Sequence, residues 1–561
     1  MFIDALRACL RSAFPENAAI VNESVTISDR PDISDYQCNL ALKLAKVLRR
    51  APLDIAKEIA LVLQKEQHVP FEVNVAPPGF VNIVVSEQGL CALLQKEDFF
   101  VAQASQKKTI VMDYGGPNVA KPLHVGHIRS AVLGESVKRI LQHVGHKVIA
   151  DVHMGDWGTQ MGKVLYGLEQ TFSDLYNEDL PLTFTFEDLE ACYTLANQHF
   201  QDEKSAKTMR DMTCSLQAGD TRYSRIWRRV HALSVTEIKE IYDQLGASFD
   251  LWYGESRYQR VMPQICDLLE QKGLAHVDQG ALIAPVAIEG ESADVPPVLL
   301  RKKDGGFLYA TTDLATIKER VEELQADAIV YVVDTRQNLH FEQIFRLAEK
   351  MGLQADFSFL GFGTVNGSDG RPFKTRDGGA YRLRELLQDM EQSVSNCMRE
   401  KGRSLNKEVV HSIALAALKV GDMQQDMRHN YEFSVEKFTQ FDGNTGPYLL
   451  YVCTRIKSLL AKCEHITPAL NQKWCTEERT LAVLLLQHPD IILRAAKNFA
   501  PHIVCQYAFM VAGAYNVFYQ NCPILSEEKS VQSHRVFLSR LTMKCLQELC
   551  HILGLEIPKF M

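Results

Sequence analysis

The first hundred residues combine two different hydrophobic periods. The segment NLALKLAKVLRRAPLDIAKEIALVLQK repeats its apolar positions with the period of amphipathic helices. The segment FEVNVAPPGFVNIVVS instead alternates apolar and polar residues on both sides of a Pro-Pro-Gly turn, which predicts two strands. We therefore predict a separate α/β domain over residues 1–105, with the polar stretch QASQKK (103–108) as a linker.

A strand–helix–strand pattern follows this domain. The short apolar run TIVMDY (109–114) is typical of a buried strand, and a Gly-Gly-Pro turn comes after it. A helix is predicted from about Leu123 to Val144, and KVIADVHM (147–154) has the pattern of a second strand. Two strands joined through a helix form a parallel pair with a right-handed crossover.

The same pattern returns later in the chain. A strand is predicted at 326–333, a helix at 338–351 and another strand at 356–365. A charged and mostly helical stretch, at roughly 165–300, separates the two units. We predict one nucleotide-binding parallel sheet over residues 106–385, split by this insertion.

From about residue 385 onward the apolar positions follow only the helical period. We predict a helical region over 386–440 and a helical bundle over 441–561. The predicted fold class is α/β: a Rossmann-like parallel sheet split by an insertion, with an N-terminal α/β domain and a C-terminal all-α helical bundle.

Composition narrows the class of protein. The chain has 561 residues, 46% of them hydrophobic and 23% charged, and no run of eighteen apolar residues that would span a membrane. The net charge of −8 gives no global attraction to nucleic acid, although a local basic stripe would suffice for it. The fourteen cysteines contain no Cys-x-x-Cys pair, which favours reduced thiols in a cytoplasmic protein and no structural zinc.

Candidate chemistry lies at the turn between the first strand and helix of the parallel sheet. His124 and His127 are three residues apart in the predicted first helical turn, so both lie on one face. Gly126 between them leaves room for a flat base to approach the backbone. Two imidazoles at a helix N-terminus could bind phosphate oxygens, or they could be incidental caps, and the motif alone leaves both interpretations open.

The surrounding residues resemble a known family. The segment GGPNVAKPLHVGHIRS, followed by DVHMGDWGTQMG (151–162), resembles the nucleotide-binding signature of class I aminoacyl-tRNA synthetases, in the form found in arginyl-tRNA synthetases. The resemblance extends from DYQCNLALKLAK (35–46) to the terminal PKFM. It implies that residues 1–105 contact the tRNA elbow, that 386–440 contact the stem, and that 441–561 bind the anticodon.

The resemblance also implies an arginine pocket. By similarity Asp313 and Glu255 would bind the guanidinium, and Tyr309 would cover its face. A guanidinium is planar and permanently charged, so it calls for carboxylates in a fixed arrangement. The residues expected to hold the α-amino end are Asp113, Asn118 and Gln337. Without the resemblance, a helix cap is the favoured interpretation of Asp313, and a residue that satisfies a turn is the favoured interpretation of Gln337.

One motif departs from the usual class I pattern. The place of the mobile Lys-Met-Ser-Lys loop reads Arg-Pro-Phe-Lys-Thr-Arg (371–376), which from the residues alone could be an ordinary basic loop. In the arginine family a lysine just before the histidine motif is thought to take over, and Lys121 fits that place. We therefore expect Lys121, assisted by Lys374 or Arg376, to neutralise the leaving pyrophosphate. The expected ATP-binding residues are His124, Gly126, His127, Lys374 and Arg376.

The C-terminal helices resemble the anticodon-binding helices of the family. Tyr448, Tyr451 and Tyr519 could stack on splayed anticodon bases, although tyrosines at helical spacing are often core residues. Met561 ends the chain as in the family, where the terminus approaches the anticodon.

The resemblance implies ATP-dependent ligation of L-arginine to its cognate tRNA through an arginyl-adenylate. Magnesium would be carried by the phosphates of ATP, with no metal held by side chains, and we expect a monomer without membrane contact. One alternative is a smaller nucleotidyltransferase, which would need neither the first domain nor the helical C-terminus. Another is a silent tRNA-binding relative, which we would expect to lack His124, His127 or Asp313.

Overall fold

A computed structural model describes most of the chain. The described residues are 2–65, 69–96, 98–288, 290–291, 295–303, 305–367, 369–371, 373, 381–402, 406–470, 473–526 and 528–561. Within them, no helix has the length and apolar character needed to cross a membrane.

The N-terminal part is an antiparallel sheet covered by helices. Its elements are α1 (Phe2–Ala13), α2 (Ala18–Asn22), β1 (Val25–Ile27), β2 (Tyr36–Cys38), α3 (Leu40–Leu48), α4 (Pro52–Gln64), β3 (Phe71–Ala76), β4 (Phe80–Val85) and α5 (Glu87–Leu94). The strand order is β1-β2-β4-β3. The strands β3 and β4 form the hairpin that the alternating pattern predicts. Val81, Ile83 and Val85 alternate along β4 and are buried in the core with the helices.

The central part contains a parallel sheet split by an insertion. Its elements are β5 (Thr109–Tyr114), α6 (Val125–His143), β6 (Lys147–Asp151), α7 (Thr159–Thr171), α8 (Phe186–His199), α9 (Glu203–Gln217), α10 (Thr221–Gln244), α11 (Met262–Gln271), β7 (His276–Asp278), β8 (Ala281–Ala284), β9 (Val298–Arg301), α12 (Tyr309–Glu322), β10 (Ala328–Asp334), α13 (Asn338–Met351), β11 (Asp356–Phe362) and β12 (Val365–Asn366). The sheet order is β11-β10-β5-β6, and every pair is parallel. The predicted parallel sheet is confirmed.

The two halves of this sheet meet between β5 and β10, which are neighbours despite the long insertion between them. The insertion contributes helices α8 to α10 and a small antiparallel sheet of order β7-β8-β9. In open α/β sheets the crevice at such a junction, beyond the carboxyl ends of the strands, is where ligands bind.

The remainder of the chain is a set of packed helices. Its elements are α14 (Leu383–Glu400), α15 (Lys407–Met423), β13 (Tyr431–Glu432), α16 (Val435–Phe438), α17 (Gly446–Lys462), α18 (Thr476–Leu486), α19 (His488–Asn498), α20 (Pro501–Asn521) and α21 (Lys529–Ile552). The expectation of no strand beyond residue 385 is wrong at β13, which pairs in parallel with β12. Two residues are too few to produce a periodic signal, so this pairing is decided by tertiary packing.

A buried ion pair joins the parallel sheet to these helices. Arg129 of α6 is 1% exposed, and its Nε donates to Asp422 Oδ1 of α15 at 2.8 Å. Its Nη1 also donates to the backbone carbonyls of Gly363 and His429, at 2.7 and 3.0 Å. The guanidinium therefore fixes the histidine-bearing helix to the segment that follows β11.

Candidate active site

Chain segments beyond the parallel strands lie side by side at the carboxyl edge of the sheet. Asn118, after β5, forms a parallel bridge with Gly155, and Met154, after β6, forms another with Gly254. Glu255 N donates to the Met154 carbonyl at 3.1 Å. These bridges hold Glu255 beside the strand ends, although the insertion separates it from them in sequence.

Two histidines cap the helix that follows β5. His124 precedes α6, and its Nδ1 accepts from Gly126 N at 3.1 Å, while His127 Nδ1 accepts from His124 N at 3.1 Å. The centroids of the two rings are 4.0 Å apart. A Cβ atom at Gly126 would lie 2.9 Å from Cε1 of His124, so the ring position requires a glycine there. The capping interpretation is thus correct, and it does not exclude a role with phosphate.

The caps determine which ring nitrogens face a ligand. A neutral imidazole has one donor and one acceptor nitrogen, so accepting at Nδ1 leaves the proton on Nε2. Burial, followed by the charge of Lys121, lowers the pKa of His124. Burial, followed by His124, lowers the pKa of His127 to about 3. Near neutral pH both rings are uncharged Nε2–H donors at the N-terminus of α6, where the helix dipole favours an anion.

Lys121 lies next to helix α8 of the insertion. Its Nζ is 4.7 Å from the ring centroid of Tyr193 in α8. Lys163 of α7 approaches the same ring at 5.9 Å and donates to Asn197 at 2.8 Å. The insertion therefore places an aromatic ring between two cations next to the histidine motif.

The two lysine-loop candidates, Lys374 and Arg376, lie outside the described residues. The ends of their segment are described: the rings of Phe373 and Tyr381 stack at 5.2 Å. The Tyr381 carbonyl accepts from Val125 N at 3.1 Å, so Tyr381 lies directly against the start of α6, beside the histidines.

An acidic pocket lies at the same edge of the sheet. Burial, followed by the carboxylates of Asp156 and Asp313, raises the pKa of Glu255 to about 8. Tyr309, at the start of α12, is 58% exposed. The pKa of its hydroxyl is raised, first by burial of that group and second by the nearby charge of Glu255. Asp313 Oδ2 lies 2.6 Å from His340 Nε2. Two carboxyl groups beside an exposed aromatic ring suit a planar cation.

Asp113 belongs to a buried charge cluster. Asp113 and Asp151, on β5 and β6, each accept from Arg320 Nη2, at 2.7 and 2.6 Å. Ligand atoms of these carboxylates and of His153 lie within 4.8 Å of one another, as a metal site would require. However, the guanidinium already supplies the compensating charge, so the trio does not fit a divalent cation. Asp113, predicted to hold an amino group, thus has one carboxylate oxygen committed to Arg320.

The remaining predicted pocket residues lie at the same edge. A Cβ atom at Gly155 would be 2.4 Å from Asn118 Oδ1, so the amide packs directly over the glycine. Gln337 is exposed in a 3-10 turn (Thr335–Gln337) between β10 and α13. Both therefore border the crevice between the two halves of the sheet.

The residues predicted to contact tRNA are all half-buried in the C-terminal helices and the end of the chain: Tyr448, Tyr451, Tyr519 and Met561. The Tyr448 hydroxyl accepts from Asn516 Nδ2 at 2.8 Å. The Arg455 guanidinium lies over the ring of Tyr519, 3.9 Å from its centroid. A tyrosine paired with a cation at the surface is a suitable stacking platform for a nucleic-acid base.

The sequence interpretation overlooked three residues of the site. Arg320 stands seven positions after Asp313 on α12, so helical spacing places both on one face. His340 lies in the quoted segment VVDTRQNLHFEQIF, but nothing in it indicates a contact with Asp313. Asp156 accepts from the N and Oγ of Ser256 at 2.9 and 2.6 Å and so orients the turn that carries Glu255.

Three family models together match nearly all of the chain. Residues 1–85 match the arginyl tRNA synthetase N terminal domain, and residues 449–561 match the DALR anticodon binding domain. Residues 90–435, more than half of the chain, match the catalytic domain of class I (R) tRNA synthetases. The chain belongs to the arginyl-tRNA synthetase family. The expected family and fold class are confirmed.

Individual members of the arginyl-tRNA synthetase family match over nearly the whole chain. The arginine–tRNA ligase of Alkaliphilus oremlandii is 39% identical, over 96% of this chain and 95% of that protein. The corresponding ligase of Francisella tularensis subsp. novicida is 36% identical, over 96% of both. The solved Thermus thermophilus arginyl-tRNA synthetase is similar in fold, with a TM-score of 0.84, 22% identity and complete coverage of both chains.

Proposed function

We propose that this chain attaches L-arginine to its cognate tRNA in two ATP-dependent steps. A carboxylate oxygen of arginine attacks the α-phosphorus of ATP, which releases pyrophosphate and forms arginyl-adenylate. The 2′-hydroxyl of the terminal adenosine of tRNA then attacks the activated carbonyl, and AMP leaves. The observation that carries the proposal is that one sheet edge holds both the capped histidine pair and the acidic pocket around Glu255 and Asp313. Family membership supports it.

The ATP half of the site would act by positioning and charge stabilisation, without a covalent protein intermediate. His124 and His127 would donate Nε2–H to phosphate oxygens, since their Nδ1 atoms already accept backbone bonds. Lys121 would move from the ring of Tyr193 to the leaving pyrophosphate, assisted by Lys374 or Arg376. Gly126 would allow the base of ATP to approach the backbone. Magnesium would arrive with the ATP phosphates and compensate their charge.

The arginine half would recognise both ends of the amino acid. Glu255 and Asp313 would bind the guanidinium, with Tyr309 over its face, as the shared acidic pocket supports. The α-amino end would be held by the residues at the strand ends, Asp113, Asn118 and Gln337. Lysine would be rejected because an ammonium leaves buried acceptors unpaired. Citrulline would be rejected because its neutral head leaves the carboxylate charge uncompensated.

The N-terminal and C-terminal parts of the chain would bind tRNA. The tRNA is a long molecule, so the chain must contact it far from the reacting end as well. We propose that residues 1–105 contact the elbow, 386–440 the stem and 441–561 the anticodon. Tyr448, Tyr451 and Tyr519 would stack on anticodon bases near Met561. The cation over the Tyr519 ring supports this role, and the active unit would be a monomer.

The test is aminoacylation of total tRNA by the purified protein, with ATP and each amino acid in turn. We expect charging with arginine alone. Consumption of ATP without charging would instead indicate a nucleotidyltransferase, and binding of tRNA without any turnover would indicate a silent relative. Either result would overturn the proposal.

A pair of variants localises the arginine pocket. Asp313→Asn should reduce kcat/KM for arginine by at least about tenfold, because a half-buried partner of the guanidinium loses its charge. Glu322→Gln is the matched control, since Glu322 lies on the same helix but is exposed and pairs with Lys318. Equal loss in both variants would indicate damage to α12 and not loss of a substrate contact.

A further inference from the structure

Two cysteines that are distant in sequence face each other at one end of the C-terminal helices. Cys475 immediately precedes α18, and Cys522 immediately follows α20. Their Sγ atoms are 3.3 Å apart, although 47 positions separate the residues. The spacing of the fourteen cysteines along the chain gives no indication of this pair.

The turn that carries Cys475 is held in place by its neighbours. Glu478 Oε2 accepts from Cys475 N at 2.9 Å, and Glu478 Oε1 accepts from Arg535 Nε of α21 at 2.7 Å. The thiol of Cys475 is half-buried, whereas Cys522 is only 2% exposed. A cavity of about 280 Å³, lined in part by Cys475, Glu478 and Arg535, opens beside the pair. A small molecule can therefore approach Cys475, while Cys522 lies behind it.

The surroundings fit a disulfide better than a metal ion. Among the described residues, only Glu477 has a carboxylate oxygen close enough to both thiols to serve as a third metal ligand. Its Oε1 already accepts from Asn521 Nδ2 at 3.1 Å. Structural zinc is held by four protein ligands, whereas a disulfide needs only the two sulfurs.

We propose that Cys475 and Cys522 form a reversible disulfide by exchange with a low-molecular-weight disulfide. Cys475 loses its proton to solvent, and its thiolate attacks one sulfur of the small disulfide. The S–S bond of the small disulfide breaks and releases one thiolate, which takes up a proton to become a thiol. Cys522 then loses its proton, and its thiolate attacks Cys475 Sγ in the resulting mixed disulfide. The second small thiolate leaves and is protonated to a thiol. The two cysteines are thereby oxidised, and the small disulfide is reduced to two thiols.

The disulfide would fix the segment at the start of α18, which contacts the N-terminal domain. The side chain of Trp474 hydrogen bonds to Cys91 of α5. Arg479, in the first turn of α18, donates to Asp35 Oδ2 at 2.8 Å and to the Val85 carbonyl at 3.1 Å. A crosslink between the start of α18 and the end of α20 also restricts the unfolded chain. Oxidation should therefore slow heat inactivation.

The first test is a count of thiols and a peptide map of the whole enzyme after equilibration with oxidised glutathione. We expect the wild type to lose two more of its fourteen thiols than a Cys475→Ser/Cys522→Ser double variant loses, since exposed thiols such as that of Cys214 form mixed disulfides in both. Tryptic peptides 474–479 and 498–529 should be found linked through Cys475 and Cys522. Cys475→Ser and Cys522→Ser should lack this link, whereas the control Cys214→Ser, which removes an exposed thiol of α9, should retain it.

The second test is the half-life of charging activity on heating. Oxidised wild type should survive at least about twofold longer than reduced wild type, and dithiothreitol should reverse the gain. Three results would overturn the proposal: only mixed glutathione disulfides form, zinc added to the reduced enzyme binds stoichiometrically and is lost in Cys475→Ser, or the crosslink forms without a change in half-life. The thiol count does not depend on charging, so it can succeed or fail independently of the proposed activity.

Discussion

Arginine binding should release a proton from Glu255. In the free protein, burial and the neighbouring Asp156 and Asp313 raise the pKa of Glu255 to about 8, so at pH 7 about 0.9 of the molecules carry a protonated carboxyl. A guanidinium bound beside it favours the carboxylate. Ionising the group before binding costs about 1.4 kcal/mol at pH 7, and this cost falls as the pH rises towards 8.

The expected result is a pH-dependent affinity for arginine. With a free-state pKa of about 8 and a much lower one in the complex, affinity should rise about fifteenfold from pH 6.5 to pH 8. His127, with a pKa of about 3, stays neutral over this range and contributes nothing to the slope. Burial also lowers the pKa of His124, which favours its neutral ring. The α-amino group of free arginine also stays largely protonated.

Isothermal titration calorimetry measures both quantities. Titrations at pH 7 in phosphate and in Tris, which differ in ionisation enthalpy, should show nearly one proton released for each arginine bound. Glu255→Gln should bind arginine more weakly and lose the slope, because an amide does not titrate in this range. If the Gln variant kept the wild-type slope, or if no proton were released by the wild type, the assignment of Glu255 to the guanidinium would be wrong.

Further predictions address stability, phosphate chemistry and tRNA. Arg129→Met should lower the free energy of unfolding by about 3–5 kcal/mol, because it leaves the Asp422 carboxylate buried without its charged partner. Adding Asp422→Leu should recover most of this loss in thermal unfolding, and failure to recover would show that the packing of Arg129 matters more than its charge. Lys121→Ala should slow arginine activation by more than about threefold in an ATP–pyrophosphate exchange assay, since a smaller effect is below ~1 kcal/mol and would exclude Lys121 as the pyrophosphate cation. Tyr519→Ala should raise KM for tRNA at least about fivefold, which is the effect expected for the loss of one stacked base. The control Tyr448→Phe keeps its aromatic ring and should leave KM within about twofold of wild type. Equal effects of the two substitutions would contradict a stacking role for Tyr519.

The local pattern of the chain predicted most elements of the sheet. TIVMDY is β5 with the predicted bounds, and the helix predicted at 338–351 is α13 (Asn338–Met351). These segments are strongly periodic and bounded by turns, so their type follows from local sequence. The strand predicted at 147–154 ends earlier, as β6 (Lys147–Asp151), because the following residues turn into isolated bridges with neighbouring loops.

Site residues near one another in sequence could be placed from sequence as well. His124 and His127 are in one helical turn, so their shared face follows from helix geometry. Residue type also carries information, since paired carboxylates with a tyrosine indicate a planar cation once the family resemblance is recognised. Neither argument fixes a protonation state. The proton on Nε2 follows only from the backbone bonds that the two Nδ1 atoms accept.

Tertiary structure decided what depends on contacts between distant segments. The bridge from Met154 to Gly254 brings Glu255 to the strand ends, and no periodic signal encodes a single bridge. Two other features depend on packing in the same way. They are the burial that raises the pKa of Glu255 and the hydrogen bond that Arg320 donates to the Asp113 carboxylate.

The sequence by itself thus determined the kinds of element, their order and the residue types available for chemistry, because these depend on local periodicity and side-chain identity. Only the tertiary structure decided which charges are compensated and which side chains meet, because desolvation and long-range pairing exist only once the chain is folded. The charges of Asp113 and Asp151 are compensated by Arg320, which only the folded structure shows. The contact between the sulfurs of Cys475 and Cys522 is likewise visible only in the folded chain.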